Sequence, residues 1–158
     1  MQEKNPLSAV VGVKTVREDW SFVLELFYRQ EGCNSEEQEA FIDYFKNSGQ
    51  AGPPGNHLRD ELLRRGLLRY YLGASLAAHA IRDSRFSAGA MVVCSFQPET
   101  ARFSNYASWL LLAEIGYKIT QNSTLSFYIQ KIGGGKYGEF NNLLPYRQSF
   151  TLLLKYFF

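Results

Sequence analysis

The sequence closes on Gln148-Ser149-Phe150-Thr151-Leu152-Leu153-Leu154-Lys155-Tyr156-Phe157-Phe158. Counting back by twos from Phe158 meets Tyr156, Leu154, Leu152 and Phe150, all large and apolar. The alternate positions hold Ser149, Thr151 and Lys155 together with Leu153 and Phe157. Side chains of a strand point alternately to its two faces, so the stretch reads as a β-strand with one wholly apolar face and one mixed face. Chain ends fray and expose what they carry, which makes an aromatic-rich terminal strand costly in water. A strand whose apolar face meets lipid escapes that cost.

The same two-residue alternation recurs upstream, broken by turn chemistry. Strands are expected over about 7–15, 20–29, 68–82, 86–96 and 105–120, then around Leu125–Gln130, then in the closing stretch. In the second, Trp20, Phe22, Leu24, Leu26 and Tyr28 share a face opposite Ser21, Glu25 and Arg29. In the fifth, Trp109, Leu111, Ala113, Ile115 and Tyr117 oppose Ser108, Glu114, Gly116 and Lys118. Residues 30–66 break the pattern. Ser35 followed three residues later by Gln38 has capping-box spacing, and Phe41, Ile42 and Phe45 recur at helical spacing, so a helix is expected between about 35 and 47. A Gly/Pro-rich break follows over 49–55, and His57 to Arg65 has the pattern of a second helical turn.

Connections alternate in length. Short turns are expected at 17–19, 83–85 and 121–123, and long loops at 30–66, 97–104 and 132–147. Aromatics collect at both strand ends. Trp20, Phe22, Phe86, Tyr117, Tyr156 and Phe158 lie near the short turns, and Tyr28, Tyr70, Phe96, Trp109 and Phe150 near the long loops. Two aromatic belts separated by Leu, Val and Ala are what the two interfaces of a bilayer select. With 158 residues the chain has the length of one domain, and 15% of its residues are aromatic although its mean hydropathy is only −0.23. That pairing suits strands with one greasy and one wet face. No apolar run has the length of a transmembrane helix. A net charge of +2 with scattered Lys and Arg gives no reason to expect nucleic acid, and Cys33 and Cys94 are too few and too far apart for a metal set or a disulfide framework.

The terminal Phe158, the aromatic two before it and the apolar residues at each further second position resemble the C-terminal signal of bacterial outer-membrane β-barrels. A wider resemblance to proteobacterial outer-membrane barrels covers about 7–158. It is best matched in Phe22-Val23-Leu24-Glu25-Leu26-Phe27-Tyr28, in Arg69-Tyr70-Tyr71-Leu72-Gly73-Ala74-Ser75-Leu76 and in the closing strand. The resemblance implies an all-β, antiparallel, up-and-down transmembrane β-barrel of about seven strands, with residues 30–66 as a long extracellular loop carrying a helix. It implies an outer-membrane location, contact with outer-membrane lipid, and recognition of Phe150, Leu152, Leu154, Tyr156 and Phe158 by the barrel-assembly machinery. The function implied is a pore, transport or structural envelope role with no cofactor, no metal and no catalysis. Bacterial barrels of this kind have even strand numbers from about eight upward. Seven strands, the first descending from the outside, therefore point to the C-terminal part of a larger barrel. The stretch from Met1 to Pro6 has no apolar core or cleavage site of an export signal, so a mature or truncated form is expected.

Charges in membrane strands belong in a wet or hydrogen-bonded interior. Lys14, Glu25, Arg29, Arg69, His79, Glu114, Lys118, Gln130 and Lys155 fall on the polar faces and are the candidate lumen-facing residues. They either line a pore and set its ion preference or plug the lumen with ion pairs. His79 near Ser75 and Ser87 offers the residue types of a hydrolase, and some outer-membrane barrels are lipases. No nucleophile motif accompanies them, and a satisfied lumen histidine is the better reading. Gly133-Gly134-Gly135-Lys136 lacks the spacing and the Ser/Thr of a phosphate loop and reads as loop flexibility. The competing reading is a soluble, lipocalin-like antiparallel barrel with its apolar faces turned inward around an apolar ligand. Alternation alone does not separate the two.

Overall fold

The apolar–polar alternation becomes one antiparallel sheet of seven strands in the order β1-β2-β3-β4-β5-β6-β7, each paired with its neighbours in sequence. The computed structural model of the protein describes residues 7–47, 67–79, 85–101, 103–144 and 146–156. The strands are β1 (Ser8–Val16), β2 (Trp20–Arg29), β3 (Tyr70–Ala78), β4 (Phe86–Phe96), β5 (Ser108–Lys118), β6 (Ser123–Gly134) and β7 (Gln148–Tyr156). Among the described residues three helices lie in the long connections: α1 (Ser35–Asn47), α2 (Phe103–Tyr106) and α3 (Glu139–Leu143). No helix among the described residues is long and apolar enough to cross a membrane, which says nothing about crossing by strands. Phe158 and the stretch from His57 to Arg65 lie outside the described residues, as does most of the turn expected at 83–85.

The sheet is not closed into a barrel: β1 and β7 are its two free edges. Gln30 donates its N–H to the carbonyl of Leu7 and Arg17 donates to that of Trp20, so the odd-numbered residues of β1 bond to β2. The even-numbered backbone groups from Ser8 to Val16 then point out of the sheet. At the other side Ile132 donates to Arg147, which leaves the groups of Gln148, Phe150, Leu152, Leu154 and Tyr156 along the β7 edge. Closure fails because these outward rows meet no strand among the described residues.

Register gathers the apolar sets of all seven strands onto one face. Val11 lies opposite Leu26, Leu26 opposite Leu72, and Leu72 opposite Cys94; Ile115 lies opposite Phe127, and Phe127 opposite Leu152. This face is exposed: Val11 by 73%, Ile115 by 57% and Leu152 by 68%. Leu72, Leu76 and Leu154 are exposed with them, while Leu111 is half-buried between its neighbours. Rings mark both ends of the strands. Tyr28, Tyr70, Phe96 and Phe103 form a chain of neighbours with centroids 5.2, 5.8 and 6.1 Å apart at the long-loop end. Phe86 and Tyr117 pair at 4.8 Å near the short turns.

The buried apolar core lies in the connections. Ile42 of α1 packs with Leu67, Leu68, Tyr106, Tyr137 and Leu143, and Tyr71 rests against this cluster from the sheet. Helix α1 runs where its spacing predicts, but its cap is displaced by one residue. Asn34 Oδ1 accepts the Glu37 N–H at 2.9 Å, and Glu37 Oε2 accepts the Asn34 N–H at 2.8 Å. The capping box is therefore Asn34–Glu37, and Gln38, read from the sequence as the box's second member, is free to turn inward. Asn34→Ala is expected to cost about 1 kcal/mol of α1 stability, and Ser35→Ala far less. Amide exchange along α1 in the two variants checks this.

Three further corrections concern strand limits. β3 spans Tyr70–Ala78, with Leu68 and His79 outside it, and residues 80–82 of the expected strand lie outside the described residues. β5 starts at Ser108, because Asn105 and Tyr106 belong to α2, where the Tyr106 ring stacks on Tyr137 at 5.6 Å. Gly133 and Gly134 belong to β6 rather than to a flexible loop. A Cβ at Gly133 would lie 2.4 Å from the Trp109 ring, and Gly134 has φ +149°, so glycine there serves close packing and an unusual backbone.

Candidate functional site

The second face of the sheet carries the polar sets, and its residues fall into cross-strand rows. One row runs Glu25–Gly73–Val93–Leu110–Ile132, the next Lys14–Val23–Ser75–Met91–Leu112–Gln130–Ser149. Below them lie Gly89–Glu114–Tyr128–Thr151, then Ser87–Gly116–Ser126–Leu153, and finally Lys118–Thr124–Lys155. Side chains from β3 to β7 share a trough of about 510 Å³ on this inner face.

The sequence-derived candidates separate into groups. Glu114 and Lys155 come together around Tyr128: Lys155 Nζ donates to the Tyr128 hydroxyl at 2.9 Å, and Glu114 is the register partner of Tyr128. Gln130 lies one row above, opposite Leu112 and Ser149. Arg29 and Arg69 flank the mouth at the long-loop end. Arg69 Nε donates to the Gly32 carbonyl at 2.8 Å and its guanidinium lies 3.8 Å from Glu99, while Arg29 lies 4.0 Å from Glu31. Lys14, Glu25 and Lys118 are exposed and stand apart from these groups. His79 lies one residue beyond β3, exposed, and no hydrogen bond joins it to Ser75 or Ser87 among the described residues. Phe150, Leu152, Leu154 and Tyr156 of the terminal pattern are all exposed on the apolar face of β7.

The mouth of the trough is roofed. Chain segments around Cys33, Leu67, Tyr106 and Tyr137 meet there, held by three buried polar side chains. Gln38 Nε2 donates to the Tyr137 carbonyl at 2.6 Å and to that of Tyr106 at 3.4 Å. Gln97 Nε2 donates to the Cys33 carbonyl at 2.5 Å. Glu139 of α3 takes the Leu67 N–H on Oε1 at 2.7 Å and the Tyr71 hydroxyl on Oε2 at 2.8 Å, while the Leu68 N–H donates to Tyr71 at 2.7 Å. Tyr71 belongs to β3, so this one carboxyl links the wall to both sides of the roof. α3 is seated on the wall by a second bond, from the Phe140 N–H to Ser108 Oγ at 3.2 Å, with Ser108 paired to Ser95 at 2.7 Å.

Burial dominates the electrostatics of the roof. It pushes the Glu139 carboxyl up from 4.5 to about 7, against the opposing pull of the Leu67 and Tyr71 hydrogen bonds and of the Arg29 charge. The Cys33 thiol is raised as well, by burial first and then by the carboxylates of Glu37 and Glu139, which suits an inert thiol. Among the described residues no group of His, Cys, Asp and Glu is arranged to hold a metal ion.

Sequence reasoning missed the residues that build the roof. Gln38 was legible only as a cap, and a lone Glu139 in a Gly- and Asn-rich connection carries no periodic signal. Tyr128 falls within the sixth expected strand, but its bond to Lys155 joins positions 27 apart and depends on register. No family model, no curated protein and no solved structure matches the chain.

Proposed function

We propose that this chain forms wall of an outer-membrane β-barrel with a pore, transport or structural envelope role, facing lipid with the Leu72–Leu152 face and enclosing an interior with the other. One observation carries the reading. Every strand presents large apolar side chains on the exposed face, while among the described residues the buried apolar side chains lie almost entirely in the connections, with Ile132 the strand member among them. A water-soluble sheet does the reverse, and an exposed apolar surface on this scale marks contact with a membrane or a partner. Two ring belts at the strand ends and the alternation of short turns with long, structured connections support it. In lipid each unpaired backbone group costs several kcal/mol, so the outward rows of β1 and β7 require strand partners, as a larger barrel supplies. The roof over the mouth resembles an inward-folded outer loop, and the β7 pattern is the surface offered to the assembly machinery.

The experiment is fractionation of Gram-negative cells producing the complete protein. Recovery with the outer membrane, resistance to alkaline extraction and release by detergent are expected. Recovery as a stable monomer in the aqueous fraction without detergent would overturn the reading in favour of a soluble barrel with an apolar ligand.

A further inference from the structure

We infer that the inner-face trough is a binding site for an uncharged solute that carries several hydroxyl groups on one side and an apolar segment on the other, the chemistry of an alkyl glycoside. Its volume of about 510 Å³ lies within the range of small-molecule sites, which combine an apolar lining with a few convergent polar groups. Met91 and Leu112, register partners at the centre of the inner face, make the apolar floor. Met is unbranched and polarizable, so this floor adapts to an alkyl or ring surface.

The polar side of the trough is built by Tyr128, Glu114, Gln130 and Thr151, on neighbouring positions of β5, β6 and β7. Lys155 donates to the oxygen of Tyr128, so the phenol's own proton is directed to a different acceptor. An ammonium on that oxygen also polarises the O–H bond and makes it a stronger donor. The carboxylate of Glu114 only accepts, Gln130 does both, and the Thr151 hydroxyl does both. A donor, an acceptor and two groups of either kind suit hydroxyls, each of which donates and accepts. Glu114 lines the trough, and Lys155 stands behind its Tyr128 and is attracted by Glu114, so the pair balances the carboxylate and leaves no net charge for an ion to neutralise. An anionic or cationic head placed there would compete with one member of that pair and leave the other uncompensated. The inference rests on the proposed reading only for the direction from which solute arrives; the site itself depends on the inner-face geometry.

The test uses the full protein purified in lauryldimethylamine oxide, a detergent without sugar, and measures equilibrium binding of hexyl β-glucoside, glucose, hexylammonium and hexanoate. Hexyl β-glucoside is expected to bind most tightly of the four. Tyr128→Phe should weaken it about five- to tenfold, the loss of one hydrogen bond from a polarised donor. Leu112→Trp, which fills the floor and removes no polar group, should abolish binding while the β-sheet circular dichroism of the protein is retained. Lys155→Gln should turn the preference toward hexylammonium, and Glu114→Gln toward hexanoate. Tightest binding of either ion by the parent protein, or no binding of any probe, would overturn the site. So would hexyl β-glucoside binding undiminished in a folded Leu112→Trp variant. A protein recovered in the aqueous fraction refutes the membrane reading but leaves this assay to run in plain buffer, so the two failures are distinguishable.

Discussion

Replacing Glu139 by alanine is expected to release the roof over the trough, with amide exchange at Leu67 and Leu68 accelerated while the strands of the sheet keep their protection. The side chain accepts from the Leu67 N–H and the Tyr71 hydroxyl in a fully buried setting, and alanine leaves both donors without a partner. Each orphaned buried donor costs roughly 1–3 kcal/mol, so a loss of about 3 kcal/mol in roof stability is expected. Glu139→Gln keeps one acceptor, its carbonyl oxygen, for one of the two donors and should lose less than alanine. A pH dependence follows with a definite sign. Burial holds the folded carboxyl at about 7, above its ordinary 4.5, so the folded roof binds the proton more tightly than the open one. The stabilisation is complete below about pH 4.5 and disappears as pH rises through about 7, amounting on the order of 3 kcal/mol in all. Arg29 opposes this shift, and Cys33, also raised, faces the same carboxyl. Exchange at Leu67 and Leu68 should quicken between pH 5 and 8 in the parent, beyond the intrinsic dependence, and lose that excess in Glu139→Gln. A roof equally protected at both pH values would reject the assignment.

Leu152→Arg is the second large effect, and its size separates the two environments. Leu152 is central in β7, 68% exposed, and opposite Phe127 on the apolar face. In water an arginine there is nearly neutral, because the position is open already. At the middle of a bilayer it costs roughly 2–4 kcal/mol. Folding of the complete protein into lipid vesicles, followed against denaturant, is expected to show that loss, whereas Thr151→Arg on the other face should show much less. Equal, small effects at both positions would remove the lipid-facing assignment of the sheet.

The wall of the molecule was legible in the sequence and its roof was not, for one reason. Alternation at Leu24, Leu26 and Tyr28 or at Leu152 and Leu154 is a local signal, since a strand's two faces are set by residues two apart. Strands joined by short connections, β1 with β2, β3 with β4 and β5 with β6, then pair as hairpins, whereas β2–β3, β4–β5 and β6–β7 pair across the long connections, where the shared apolar face sets the register. β4 begins at Phe86 and ends at Phe96, and α1 covers 35–47, as the spacing implies. The roof is a meeting of segments near positions 33, 38, 67, 106 and 139, and no local pattern announces that Gln38 will bond to Tyr137 or that Glu139 will find Tyr71. Local rules also misplaced the helix cap, because Ser35 and Asn34 are both good caps and only Asn34 has a carboxylate three residues on. Of the inner-face candidates, Glu114, Gln130 and Lys155 are gathered at the trough by register, whereas Lys14, Glu25 and His79 are not.

The free edges carry a constraint of direction. Each hairpin reverses the chain, so six reversals bring β7 back to the heading of β1, and the two outward hydrogen-bonding rows belong to strands that run the same way. Bending this sheet round until its edges met would join them in parallel. A second copy turned about the long axis of such a cylinder does no better, because that rotation leaves every heading unchanged. An antiparallel seam on both sides demands a filler with an odd number of reversing strands, one at the least. In the proposed barrel, the parity of the strands that complete the wall is thereby fixed by the seven described strands, whichever polypeptide provides them.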